Sequence, residues 1–237
     1  MIIITKFPTN ITKYAKLGKK NLFPEIYGCK NCHFEGRLHR HGFYERNAIT
    51  PYEVLRIVIL RVKCPSCNKT FSLIPSFLIP YRQYTFEHIF LCLSCYYTKG
   101  FSYLSILNVF KDLNPQTFFS ASNITHFKRR MIGVTPLVNY FFANFTNLYF
   151  DIADYDTSSI VKKMAMYTDP GIDFNLEYGQ QMPTYFFKKV SWKRPRGKYV
   201  LFWFWPSVLG GFLCFIHFVL IFPYIIPLAH LLFLYPT

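Results

Sequence analysis

Acidic residues are scarce in this chain. Its 237 residues carry 12 Asp+Glu against 27 Lys+Arg, a formal charge of +15. The shortage is sharpest in residues 1–82, where 4 acids meet 14 bases for a net +10. A basic region of this kind suggests a polyanionic partner, most simply nucleic acid, although a basic face can also just keep a protein soluble. Residues 199–237 lack Asp, Glu, Lys and Arg altogether. Even so, a long uninterrupted apolar run is missing there. The longest proline-free stretch, Ser207–Phe222, has 16 residues, short of the ~20 that a membrane helix needs. Three readings of this tail stand open. It is a membrane segment with Tyr199, Trp203 and Trp205 at an interface and the basic cluster 193–198 on the cytoplasmic side. Or it is an out-of-frame tail never shaped by selection. Or it packs onto the aromatic residues of 137–150. A secretory signal is not expected either, because Met1–Ile4 is short and Lys6 interrupts it. The expected compartment is therefore the reducing cytoplasm, which favours metal over disulfide for paired cysteines.

What is present is led by two Cys-x-x-Cys pairs, Cys29/Cys32 and Cys64/Cys67, with 31 residues between Cys32 and Cys64. Each turn lets two sulfurs converge on one metal. Two such turns supply four thiolates and leave no open coordination position, so the expected ion is a structural Zn²⁺ rather than a catalytic one. Cys92 and Cys95 share the spacing but sit in an apolar run that reads as helix, so they are read as core thiols.

The fold class expected is α+β: a small three-stranded Cys₄ zinc ribbon, a helix-turn-helix-like region and an apolar tail. Residues 1–24 read as a flexible or weakly helical basic arm. Residues 25–82 form the ribbon, with strands around Gly36–Arg46, Val54–Lys63 and Lys69–Leu73 and a turn at Asn47–Pro51. So small a sheet buries little, and the metal would contribute on the order of 10 kcal/mol to folding. Residues 83–135 read as three helices. Thr85 caps Phe86–Tyr97 and Gly100 closes it. Ser102 caps Tyr103–Lys111, with Leu104, Leu107 and Phe110 as its apolar face. Ser120 or Ser122 opens a short third helix that is basic at its end. Such a third helix would present its N-terminal residues to base edges, with Lys128, Arg129 and Arg130 meeting phosphates. Residues 136–198 read as a mixed linker region that opens on an aromatic, helical stretch, Leu137–Phe150. Asp154 and Asp156 within it are taken as solvated loop acids.

The run Cys29-x-x-Cys32, Arg40-His41-Gly42-Phe43-Tyr44-x-Arg46 and Arg61-Val-Lys-Cys64-Pro-Ser-Cys67-x-Lys-Thr-Phe71 resembles the N-terminus of bacterial insertion-sequence transposases. The resemblance covers roughly residues 25–132. It implies zinc ligation by the four cysteines and a DNA-facing strand with Arg40, His41 and Arg46. It also implies a recognition helix with Ser122, Asn123, Thr125, His126, Lys128, Arg129 and Arg130. His33, His39 and His41 are further donors near the cysteines. Such transposases carry a ribonuclease-H-like domain with three metal-binding carboxylates. No room for one is found before the apolar tail. The expectation is therefore a DNA-binding, cytoplasmic protein of a mobile element, truncated or accessory and not an enzyme, open to forming a homo-oligomer. The alternatives are a membrane-anchored zinc-ribbon interaction protein, held through residues 199–237, and an active transposase.

Overall fold

The computed structural model describes residues 1–116, 118–146, 156–168, 171, 173–182 and 184–188. Asp151, Asp154, the basic cluster 193–198 and the tail 199–237 lie outside the described residues, and with them all three readings of the tail, as membrane segment, out-of-frame end or packing onto 137–150. Among the described residues, no helix is long and apolar enough to cross a membrane.

The sheet has four strands, β1 (Ile2–Thr5), β2 (His39–Ile49), β3 (Val54–Lys63) and β4 (Thr70–Pro75), in the order β1-β4-β3-β2. The stretch expected to be a basic arm instead supplies β1, parallel to β4, and helix α1 (Ile11–Leu17). The reason is burial. Tyr14, Phe7 and Phe23 pack edge-on against one another, and the Tyr14 hydroxyl donates to the Val58 carbonyl at 2.7 Å. Burying a large aromatic contributes about 2–3 kcal/mol, which outweighs the solvation that keeps a charged arm free. The β2–β3 turn falls at Thr50–Glu53 rather than Asn47–Pro51. There the Thr50 hydroxyl accepts from the Tyr52 and Glu53 amides.

Helix α2 (Phe86–Tyr97) starts where Thr85 accepts from the His88 amide at 3.2 Å. It ends at Gly100, whose φ of 68° suits a left-handed cap. Cys92 and Cys95 are buried in its core-facing side. Helix α3 (Tyr103–Leu113) is capped by Ser102 and buries Ile106 and Phe110; Leu104, expected on that face, is exposed.

The expected short third helix is one 25-residue helix, α4 (Ala121–Phe145), running through Pro136. A proline inside a helix costs about 3 kcal/mol. The buried stripe Ile124, Phe127, Met131, Val134, Val138, Phe141 and Phe142 stays in helical register on both sides of it, and that burial outweighs the cost. The expected mixed linker supplies the end of α4, then α5 (Thr157–Thr168) and α6 (Phe174–Gln181). Asp156, expected to be a solvated loop acid, accepts from the Ser159 amide at 3.0 Å at the start of α5. Asp173 does the same for Leu176 in α6.

Buried side chains form two clusters, one from Phe7 to Leu78 around the sheet and one from Ile79 to Phe187 among the helices. Phe174 centres the second, with Phe141, Phe142, Tyr178 and Phe186 within 5.2–5.8 Å of its ring. Two clasps join the clusters. Asn175 of α6 donates to the Ser76 and Leu78 carbonyls. The end of β2 also bonds the segment before α2, through Ile49 N–H to the Gln83 carbonyl and Thr85 N–H to that of Ile49.

Candidate metal centre

Two backbone turns build the centre, and they are the same turn used twice. In the first, the His33 amide donates to the Cys29 carbonyl at 2.9 Å and the Cys29 amide to Phe34 at 2.7 Å. In the second, Asn68 donates to Cys64 at 3.0 Å and Cys64 to Lys69 at 2.9 Å. His33 and Asn68 both have φ of 58°. That left-handed step after the second cysteine folds each pair of thiols toward one point. β3 leads directly into the second knuckle and β4 leads out of it, so the sheet end holds the turn in place.

The four ligand atoms lie within 4.8 Å of one another. Cys29 and Cys67 sulfurs are 3.6 Å apart, and Cys32 and Cys64 sulfurs 3.7 Å. A tetrahedron of thiolates about 2.3 Å from a central ion has edges of about 3.8 Å, so the close pairs match one. Both contacts run between knuckles, and all four thiols are free. The set could therefore hold a metal ion. His33, His39 and His41 are exposed and outside the group, so the donors are cysteines alone. The Lys69 backbone N–H pulls the Cys67 thiol down to about 6, while burial pushes Cys64 up to about 11. A bound cation would favour the thiolate at both.

A bulge shapes the strand beside it. Arg40 pairs with Val62, but Gly42 pairs with Arg61, leaving His41 unpaired. Gly42 takes φ of 145°, which a side chain resists. The extra residue exposes Arg40 and His41 and reverses the alternation of every residue after it. Arg46 consequently lies opposite the buried Ile57 and is half-buried itself.

On α4 the candidate residues divide. Ser122 and Arg129 are exposed. Asn123 closes a capping box with Ser120. Thr125 donates to the Ala121 carbonyl. Lys128 donates to the Tyr103 hydroxyl at 3.1 Å and sits 3.6 Å above the Tyr96 ring. His126 Nε2 and Arg130 Nη1 are buried with no hydrogen-bond partner. The structure thus brings the four cysteines together but spreads the ten basic and polar candidates, with Arg40 and His41 at the knuckle end, Arg46 further along β2 and the other seven on α4. Sequence reasoning missed Arg82, which faces Arg130 electrostatically. A lone Arg after Tyr81 carries no motif that would have singled it out.

Residues 29–98 match the model of a family described as a domain of unknown function, DUF6431. The match opens at the first ligand cysteine and closes just beyond α2, so it takes in both knuckles and omits α3 and α4. No curated protein matches the chain. No solved structure matches it either.

Proposed function

We propose that this chain is a zinc-dependent DNA-binding protein of transposase-like kind that serves a mobile element by binding. Zn²⁺ suits the cysteine-only donor set, and a closed four-thiolate shell makes it structural. When bound, the ion supplies cross-linking of the two knuckles and no reaction chemistry. The supporting observation is the surplus of cations without counter-charges. Among the described residues the only ion pairs join Arg37 to Glu25 and Arg56 to Glu45. Lys30, Arg40, Lys69 and Arg129 are exposed and make no ion pair with another described residue. Phosphates are the natural partners of such groups.

Helices α2, α3 and α4 pack in sequence, which suits a helix-turn-helix-like reader. Its connections, 98–102 and 114–120, are longer than the usual three- to four-residue turn. The contacts of Asn123, Thr125 and Lys128 within the helices narrow the DNA-facing set on α4 to Ser122, His126, Arg129 and Arg130. The test is fluorescence anisotropy of the zinc-loaded full chain on labelled duplex DNA across a salt series. Affinity should fall linearly on a log–log plot with a steep negative slope. No binding at low salt, or binding indifferent to salt, would overturn the function.

A further inference from the structure

A cavity of about 300 Å³ opens between β2, β4 and the segment Tyr81–Gln83, and it is distinct from the metal centre. Two guanidinium groups line it, Arg46 from β2 and Arg82 from that segment, together with Tyr44, Tyr81, Ser72 and Gln83. Among the described residues no carboxylate lines it and neither arginine makes an ion pair.

The placement of Arg46 is the telling feature. Tyr44 and Arg46 lie opposite Ile59 and Ile57, which are fully buried. An apolar side chain would be the ordinary occupant of that position. The bulge at His41 puts a cation there instead. Burying part of a charge without a counter-charge is unfavourable, and burial lowers the pKa of both arginines accordingly. Such an arrangement persists where a ligand supplies the missing charge. Arg82 also lies near enough to Arg130 for the two to repel. His126 feels Arg82, Arg130 and Arg129 in that order, after its own burial. Arg82 of the cavity wall thus lies within electrostatic reach of Arg130 and His126 on α4. Tyr81 stands at the cavity mouth, 75% exposed and with φ of 60°.

We propose that this cavity binds the phosphate of a nucleotide, with Arg46 and Arg82 as paired counter-charges and the Tyr44 and Ser72 hydroxyls as further donors. Two guanidinium forks can each give two parallel N–H bonds to phosphate oxygens. The phosphate comes either from a DNA strand crossing α4 or from a free mononucleotide. The first source rests on the DNA-binding function proposed for the chain, and the second does not.

Calorimetry on the zinc-loaded full chain tests it, with inorganic phosphate, 5′-AMP and a short single-stranded DNA bearing or lacking a 5′-phosphate. Arg46→Gln and Arg82→Gln should each weaken binding by about tenfold or more, and Arg46→Lys should weaken it less. Arg82 lies outside the sheet, so Arg82→Gln decides the matter should Arg46→Gln misfold. Zinc content checks folding in each variant. Binding of phosphate or 5′-AMP that both variants weaken assigns the site to a free ligand. Binding confined to the DNA strand and weakened by both assigns it to DNA. No binding by any probe, or binding that Arg82→Gln leaves unchanged, overturns the proposal. Retained 5′-AMP binding without any duplex binding would sink the DNA function and leave the site standing.

Discussion

His33 and Asn68 occupy equivalent places in two knuckles 35 positions apart, each with φ of 58° and each donating its amide to the carbonyl of the first cysteine. Neither is the glycine that this conformation usually selects. Asn tolerates the left-handed region, and His does so less readily, whereas a β-branched residue is a true outlier there. His33→Val and Asn68→Val should therefore each lower stability by about 1–2 kcal/mol. His33→Gly should be close to neutral, because relief of strain offsets the greater freedom of the unfolded chain. Thermal melts of the metal-loaded protein would measure both. An equal loss in the Val and Gly variants would show that the side chain, not the backbone, matters.

Removing one ligand tests the centre itself. Cys64→Ser should reduce bound metal from one per chain to none and unfold the knuckle end of the sheet. The helical cluster from Ile79 to Phe187 packs largely on itself and should keep its far-ultraviolet signal. Elemental analysis and circular dichroism read the two effects separately. Full metal retention in Cys64→Ser would rule out the four-cysteine site.

Proton release follows from the unequal thiols. Cys64, pushed up to about 11, is protonated at neutral pH and must lose its proton to bind metal. Cys67, pulled down to about 6, is already ionised above pH 7. Metal affinity should thus rise with pH, and fewer than four protons should leave per ion bound above pH 7. A weakly buffered titration with an indicator counts them, and release of four would contradict the Cys67 assignment.

His88 makes folding sensitive to acid. It is fully buried and stacks on Phe110 at 4.4 Å, and burial lowers its pKa to about 4 from an ordinary 6.5. In the unfolded chain it takes up a proton near pH 6.5. Its contribution is therefore complete above that value and is lost as pH falls toward 4. The difference amounts to about 3 kcal/mol. Urea unfolding at pH 7 and pH 5 should show a drop of about 2 kcal/mol, the part of that difference lost over this interval, and His88→Phe should flatten it. An unchanged pH slope in the variant would place the sensitivity elsewhere.

The knuckles were legible in the sequence because their geometry is local: four residues define each turn. Helices α2 and α3 were legible because Thr85, Ser102 and Gly100 are local signals too. β1 was not, because Ile2–Thr5 has no alternation and pairs with a strand 70 residues later. The full length of α4 was not legible, because Lys128–Arg130 read as the basic end of a short helix and only the shared core joins the buried residues on both sides of Pro136. α5 and α6 were hidden by a short, weak apolar period, and their capping acids looked like loop residues. The cavity was illegible for a related reason. Arg46 reads as an exposed strand cation, and only the bulge at His41, seen in the pairing register, turns it toward Ile57.

Lys128 and Arg129 are neighbours in sequence but should behave oppositely. Lys128 is held between Tyr96 and Tyr103, with its ammonium 3.6 Å above one ring and bonded to the hydroxyl of the other. A half-buried cation–π contact contributes about 1 kcal/mol, so Lys128→Gln should lower stability by that order. Breaking that contact also frees the two tyrosine rings between α2 and α3. Arg129 is exposed and has no such contact. Arg129→Gln should leave the melting temperature unchanged, weaken DNA binding and reduce the salt slope by about one. Paired melts and anisotropy titrations separate the two effects. If Lys128→Gln instead leaves stability intact and weakens DNA binding as much as Arg129→Gln, its ammonium leaves the tyrosines to meet phosphate, and the aromatic seat is a resting position.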